Sequence, residues 1–137
     1  MYPEQLVAPF RAELTSAGFE ELTTPEQVDA MLPKAEGTTL LVINSVCGCA
    51  AGAARPGVKM SLQGDKKPNH LVTVFAGQDT DAVAQARKYT LPYPPSSPSI
   101  ALFKDGKLVH FVERHHIEGR SAAMIAENLQ TAFEEYC

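Results

Sequence analysis

The stretch Thr39-Leu40-Leu41-Val42-Ile43-Asn44-Ser45-Val46-Cys47-Gly48-Cys49-Ala50-Ala51-Gly52-Ala53-Ala54 decides how this chain is read. Thr39–Asn44 is short, apolar and rich in β-branched residues, which predicts a buried strand of the parallel kind. Ala50–Ala54 is a run of very small residues and reads as a helix suited to close packing. The thiols of Cys47 and Cys49 therefore fall where a buried strand ends and a helix begins. Pro56-Gly57 is expected to kink or interrupt that helix.

Such a junction favours thiolate chemistry. The first N–H groups of a helix are unpaired and aim at an anion, and a helix N-terminus lowers a thiol pKa. No charged residue lies between Glu36 and Arg55. Activation must come from the helix end or from groups distant in sequence. Gly48 removes side-chain bulk and lets the backbone bend between the sulfurs. Residues two apart on a helix point to nearly opposite sides, so a C-x-C disulfide should need a distorted backbone and be easily reduced. The spacing predicts a centre poor at reducing stable protein disulfides and suited to small-thiol exchange or isomerisation. Two other readings stay open. One is a pair of buried, inert cysteines. The other is a metal or iron–sulfur site, with two further ligands drawn from Cys137 or histidines.

Working outward, Leu6, Phe10 and Leu14 form one helical stripe within Pro3–Ala17, with Pro9 expected to kink or break it. Thr24-Pro25-Glu26-Gln27 reads as a capping box opening a helix to about Met31. Gly64–Asn69 reads as a polar loop, Leu71–Phe75 as a second buried strand, and Asp79 as the cap of a helix reaching about Tyr89. Leu91–Pro98 is proline-rich. Ser99–Phe103 and Leu108–Val112 read as a hairpin about Asp105-Gly106. Ser121–Cys137 closes the chain as a helix burying Ile125, Leu129, Ala132 and Phe133. The order α-α-β-α-β-α-β-β-α predicts an α/β fold, a mixed sheet with helices on both faces.

Bulk composition narrows the function classes. The 137 residues suit a single domain, 1–137, with a helical extension over about 1–35. The net charge of -4 gives no footprint for nucleic acid or an anionic membrane. No window approaches the roughly 18 apolar residues of a membrane span. Met1-Tyr2-Pro3-Glu4-Gln5 lacks the basic and apolar regions of a signal peptide. A reducing, cytoplasmic location is expected, where a close cysteine pair is catalytic, redox-sensing or metal-binding.

Ser96-Ser97-Pro98-Ser99 supplies the second motif, a proline just before a strand, where cis X-Pro bonds occur. A strand, a cysteine pair opening a helix, a later Ser-Pro, a Lys104-Asp105-Gly106-Lys107 turn and a last helix resemble the thioredoxin superfamily. The fuller resemblance is to the bacilliredoxins, small bacterial proteins with a Cys-Gly-Cys motif. It covers nearly the whole chain, including Phe19–Thr24, Ala35–Thr39, Val42–Pro56, Val72–Asp79, Pro95–Ser99 and Cys137.

The resemblance implies a thioredoxin-like fold and removal of bacillithiol from oxidised cysteines on client proteins, with weak disulfide isomerase activity also described in the family. Cys47 would be the nucleophile and Cys49 the resolving thiol. Pro98, expected cis, would shape a substrate groove together with Ser97, Asn44 and Ser45. No cofactor beyond the small thiol and no metal is implied. Client proteins are the expected partners, on a monomer or homodimer. The chain departs from ordinary thioredoxins in its C-x-C spacing, its lack of Trp, and a preceding strand that carries Asn44 and Ser45 but no carboxylate.

Three further features stand outside these motifs. Arg55, six residues beyond Cys49, reads as solvent-facing or salt-bridging rather than as a thiolate partner. Cys137 is a candidate third redox thiol, between chains or with Cys47, against a free terminal cysteine. His115-His116 reads as an exposed pair on a strand or loop, pointing apart.

Overall fold

The apolar run becomes a strand with every residue buried, at the centre of a five-stranded sheet. The computed structural model describes residues 1–137. In chain order the elements are α1 (Glu4–Thr15), β1 (Glu20–Glu21), α2 (Pro25–Met31) and β2 (Thr38–Asn44). A π-helical turn (Ala50–Ala54) runs into α3 (Arg55–Ser61), followed by β3 (His70–Phe75), α4 (Thr80–Lys88), β4 (Ser99–Lys104), β5 (Lys107–Val112), α5 (Arg114–Ile117) and α6 (Ala122–Tyr136).

The strand order is β1-β3-β2-β4-β5. β1 and β2 run parallel to β3, while β4 is antiparallel to both β2 and β5. The sheet is therefore mixed, as expected. Alternation along β2 sends Leu40 and Val42 to one face and Leu41 and Ile43 to the other. The first pair packs with Leu14 of α1, Val58 of α3 and Leu129 and Phe133 of α6. The second pair packs with Val28 of α2 and Val83 and Ala86 of α4. Both faces of the sheet are thus covered by helices. Each large aliphatic side chain buried there contributes about 1.5–3 kcal/mol.

Most local signals act as read. Gln27 N–H donates to Thr24 Oγ1 at 3.2 Å and the Gln27 side chain accepts in return, completing the capping box. Asp105 and Gly106 have φ of 50° and 81°, the left-handed pair of a two-residue hairpin turn. Ser121 caps α6, and Ile125, Leu129, Ala132 and Phe133 are all buried.

Four expectations are corrected. α1 continues through Pro9 without a break, because Val7 and Leu14 anchor its two ends in the interior and outweigh one lost hydrogen bond. Asp79 stands at the N-cap of α4 but makes no side-chain cap; its carboxylate takes the Arg11 guanidinium instead, at 2.7 and 3.2 Å. Two short elements were not anticipated. β1 is a two-residue edge pairing, and α5 is a single turn that contains His115 and His116. No helix is long and apolar enough to cross a membrane.

Candidate active site

Proline chemistry shapes the helix behind the cysteines. In a regular α-helix the Pro56 ring would collide with the carbonyl of Gly52. The turn widens instead, and Arg55 N–H bonds back five residues to Ala50 O. This π-turn keeps the helix continuous where an interruption was expected. Next to it, Gly57 lets α3 lie directly on α6: a Cβ there would stand 2.6 Å from Ile125 Cβ and 2.9 Å from Ala122 O.

Cys47 precedes the first helical turn and acts as its cap. Its carbonyl accepts from Ala50 and Ala51 N–H, at 3.0 and 3.2 Å. Its sulfur accepts the Cys49 N–H at 3.4 Å. The opposite-sides argument for C-x-C therefore fails for the reduced pair, since it applies to two residues inside a helix. The cap position turns the Cys47 sulfur toward Cys49. Gly48 is exposed and a Cβ there would meet nothing within 4 Å. It leaves the space above the sulfurs open rather than enabling a backbone bend that only glycine could make.

The two thiols are driven apart electrostatically. The Cys49 thiol and its backbone N–H, followed by the charge of Arg114 and the Ala50 N–H, hold Cys47 below the ordinary thiol value. Burial, together with the neighbouring Cys47 sulfur, pushes Cys49 above it. The pair is thus set to lose its first proton from Cys47 and to keep the other on Cys49. Both are free cysteines and partly exposed.

Arg114 is the functional residue that sequence reading missed. It opens α5, which follows directly on β5, and its Nη2 lies 3.2 Å from Cys47 Sγ. Nη1 donates to Ser97 O at 3.1 Å, the backbone N–H to Ser96 Oγ at 3.3 Å, and Nε to Glu118. This one guanidinium ties the thiolate to the residue preceding Pro98. The Ser97-Pro98 bond is cis, as expected, and Pro98 is buried. No local signal marks Arg114, because its contact with Cys47 spans 67 residues.

Asn44 and Ser45 do not line a groove. They are 1% and 8% exposed and hold the cysteine loop from behind. Ser45 Oγ accepts the Cys47 N–H at 3.0 Å, and Asn44 Oδ1 accepts the Ser45 N–H at 2.9 Å. Arg55 completes this support and corrects its expected solvent-facing position. It is fully buried and donates from Nη1 to Asn44 Oδ1 at 2.9 Å and to Ser45 O at 2.7 Å. Glu13 Oε2 lies 3.1 Å from its Nε, and its guanidinium sits 4.7 Å over the Phe10 ring. The salt-bridging half of the expectation is correct. A lone cation in an apolar run was the available signal for burial with a partner.

The remaining candidates do not join the pair. Cys137 Sγ contacts Thr38 Oγ1 at 3.4 Å, at the opposite end of β2 from the cysteine loop. Seven strand residues separate the two ends by about 20 Å, which excludes an intrachain Cys47–Cys137 bond in this fold. His115 and His116 are exposed but do not point apart: they share α5 and their ring centroids are 4.1 Å apart. With Glu113 they gather metal-ligating atoms within 4.8 Å of one another, a group that includes neither cysteine. The two largest surface clefts, about 420 and 550 Å³, are also lined by other residues. The thiols lie at the surface, partly exposed, outside both clefts.

The fold is that of the thioredoxins, and with the relatives that follow it defines the class, a thiol oxidoreductase. Mitochondrial thioredoxin 3 from Saccharomyces cerevisiae, in its oxidised form, superimposes with a TM-score of 0.58 at 14% identity, over 90% of this chain and 98% of its own. A Fasciola hepatica thioredoxin gives 0.55 at 18%, over 84% and 99%. The sequence is 70% identical to a bacilliredoxin of Cytophaga hutchinsonii over 135 residues, 98% of this chain and 99% of the other. It is 57% identical to a bacilliredoxin of Halalkalibacterium halodurans over 136 residues, 99% and 94%. A family model described as "Disulphide isomerase" matches residues 2–137. This chain belongs to the bacilliredoxin family.

Proposed function

We propose that this protein removes bacillithiol from mixed disulfides on client proteins in the cytoplasm, with Cys47 as nucleophile and Cys49 as resolving thiol. One observation carries the reading: the Cys49 N–H and Arg114 Nη2 converge on Cys47 Sγ, at 3.4 and 3.2 Å. Both donors favour a thiolate, the attacking species in disulfide exchange.

The Cys47 thiolate attacks the bacillithiol sulfur of the mixed disulfide. That S–S bond breaks, and the client leaves as a thiolate that takes a proton from water. Cys47 then carries bacillithiol. Cys49, protonated until this point, gives its proton to water and attacks the Cys47 sulfur. Bacillithiol leaves as a thiolate, and a Cys47–Cys49 disulfide remains for reduction by a further thiol. Keeping Cys49 protonated prevents it from competing for the client. Ser97 shares the Arg114 guanidinium with the reacting sulfur, and we assign it to the substrate groove, with the buried Pro98 shaping that groove from behind. No resident cofactor is needed. A metal or iron–sulfur site at the pair is the alternative of a different class, and the clustered ligand atoms of Glu113, His115 and His116 include neither cysteine.

A second reading, protein disulfide isomerase, is supported by the description of the matching family model. It uses the same first attack on a client disulfide. A bacillithiolated client separates the two. The proposal expects Cys49→Ala to trap bacillithiol on Cys47 and Cys47→Ala to leave the client modified. Trapping of the client itself on Cys47 would favour isomerisation, and adducts on both cysteines alike would overturn the assignment.

A further inference from the structure

The turn that follows β5 gathers three metal-ligating side chains that the thiol chemistry does not use. Glu113, His115 and His116 bring their ligand atoms within 4.8 Å of one another. His115 Nε2 lies 3.3 Å from Glu113 Oε2. Zinc bonds of roughly 2.0–2.2 Å to nitrogen and oxygen, at tetrahedral angles, hold two ligand atoms about 3.4 Å apart. That pair already stands at the separation an ion would impose. The third ligand is close at hand, since the His115 and His116 ring centroids are 4.1 Å apart. His116 Nδ1 accepts the Glu113 N–H at a long 3.4 Å, so its lone pair is committed only to a weak bond that a metal replaces.

The cluster sits on a fixed frame. His116 N–H donates to Glu113 O at 2.9 Å, and Val112 and Ile117 on either side are buried. The Glu113 side chain is 13% exposed and His115 is 68% exposed, so a carboxylate held against the protein faces a ring open to an entering ion. The nearest cation, Arg114, is turned to Glu118, Ser97 and Cys47, and Glu113 has no ion partner but His115. Two imidazoles with one carboxylate suit zinc and its transition-metal neighbours, whereas calcium and magnesium take oxygen ligands. The geometry points to a divalent transition-metal site of the zinc class formed by Glu113, His115 and His116. It is separate from the thiols and independent of the function proposed for them. Three protein ligands leave a fourth position for water. Arg114 lies between these ligands in the chain, so the ion ties down the single turn that carries its guanidinium to Cys47.

Titration of the full chain with Zn²⁺ and Co²⁺ tests this, with Cys47, Cys49 and Cys137 all changed to Ser so that no thiol can ligate. Calorimetry should show one Zn²⁺ bound per chain, undisturbed by excess Ca²⁺. Co²⁺ should give visible bands of a nitrogen- and oxygen-ligated ion at the same stoichiometry. Glu113→Gln, His115→Ala and His116→Ala, added singly, should each weaken Zn²⁺ binding about tenfold or more, since losing even an outer-shell partner costs roughly 10–100-fold. His70→Ala, which alters a histidine bonded to the Glu36 carbonyl, should leave the affinity unchanged. Two readings need no substitution within the site. Zn²⁺ should shield His115 and His116, but not His70, from diethylpyrocarbonate, and it should slow hydrogen exchange of the α5 amides. Binding that survives His115→Ala, equal weakening by His70→Ala, or equal labelling of all histidines with and without Zn²⁺ would overturn the inference. So would Zn²⁺ binding seen only when the thiols are restored, which would place the ion on the cysteines instead.

Discussion

Arg55→Ala tests the support under the cysteine loop. The side chain is fully buried, so its removal leaves a space beneath the π-turn and strips the Ser45 carbonyl of its 2.7 Å donor. A buried carbonyl left without a partner costs about 1–3 kcal/mol. The contact with the Phe10 ring adds about 1–2 kcal/mol when shielded from water. Loss of the Glu13 partner adds little, because that carboxylate is 36% exposed and can rehydrate. Relief from burying a guanidinium, whose Nη2 lacks a partner, acts in the opposite direction. The cavity, worth about 2–5 kcal/mol for a large side chain cut to alanine, tips the balance, for a net loss of about 3–5 kcal/mol. For a domain of this size that lowers Tm by roughly 10–15 °C. Arg55→Met fills the space but leaves Ser45 unpaired, and should fall between Ala and wild type. Thermal unfolding of the reduced proteins by circular dichroism gives the order. An Arg55→Met variant as stable as wild type would refute the argument that the hydrogen bonds to Asn44 and Ser45 hold the loop.

Gly57→Ala would ordinarily stabilise a helix by about 0.5–1 kcal/mol; here the new Cβ meets Ile125 and the Ala122 carbonyl, and overpacking of about 1–3 kcal/mol should reverse the sign. A urea midpoint no lower than wild type would contradict the direct packing of α3 on α6. Cys137→Ser should change stability by less than about 0.5 kcal/mol and leave Cys47 alkylation unaltered, because Thr38 also bonds Asn69. Slower alkylation of Cys47 in that variant would argue for a link between the two ends of β2.

The central strand and last helix were legible because their patterns repeat over several residues and their burial follows the pattern. Leu40 to Ile43 had to be interior, and Ile125, Leu129 and Phe133 had to share a face. The cysteine pair was legible from its place at a strand–helix junction. α5 and β1 were not, since one turn and two residues have no period and exist through their tertiary contacts. Arg55 was misjudged by counting helical turns from Cys49. Its surroundings come from Phe10 and Glu13 of α1, brought over the junction by the fold. Arg114 was missed for a related reason: the chain reversal at β5 sets it against a loop far away in sequence.

Alkylation of Cys47 against pH, followed by mass spectrometry of each cysteine, tests the central claim most directly. Cys47 has its pKa depressed, so its reactivity should persist below the free-thiol value of about 8.5 and disappear only as pH falls through the lowered pKa. Cys49, with its pKa raised, should react only at higher pH. Arg114→Gln should move the Cys47 curve upward. Equal titration of the two thiols near 8.5, with no response to Arg114→Gln, would contradict the account.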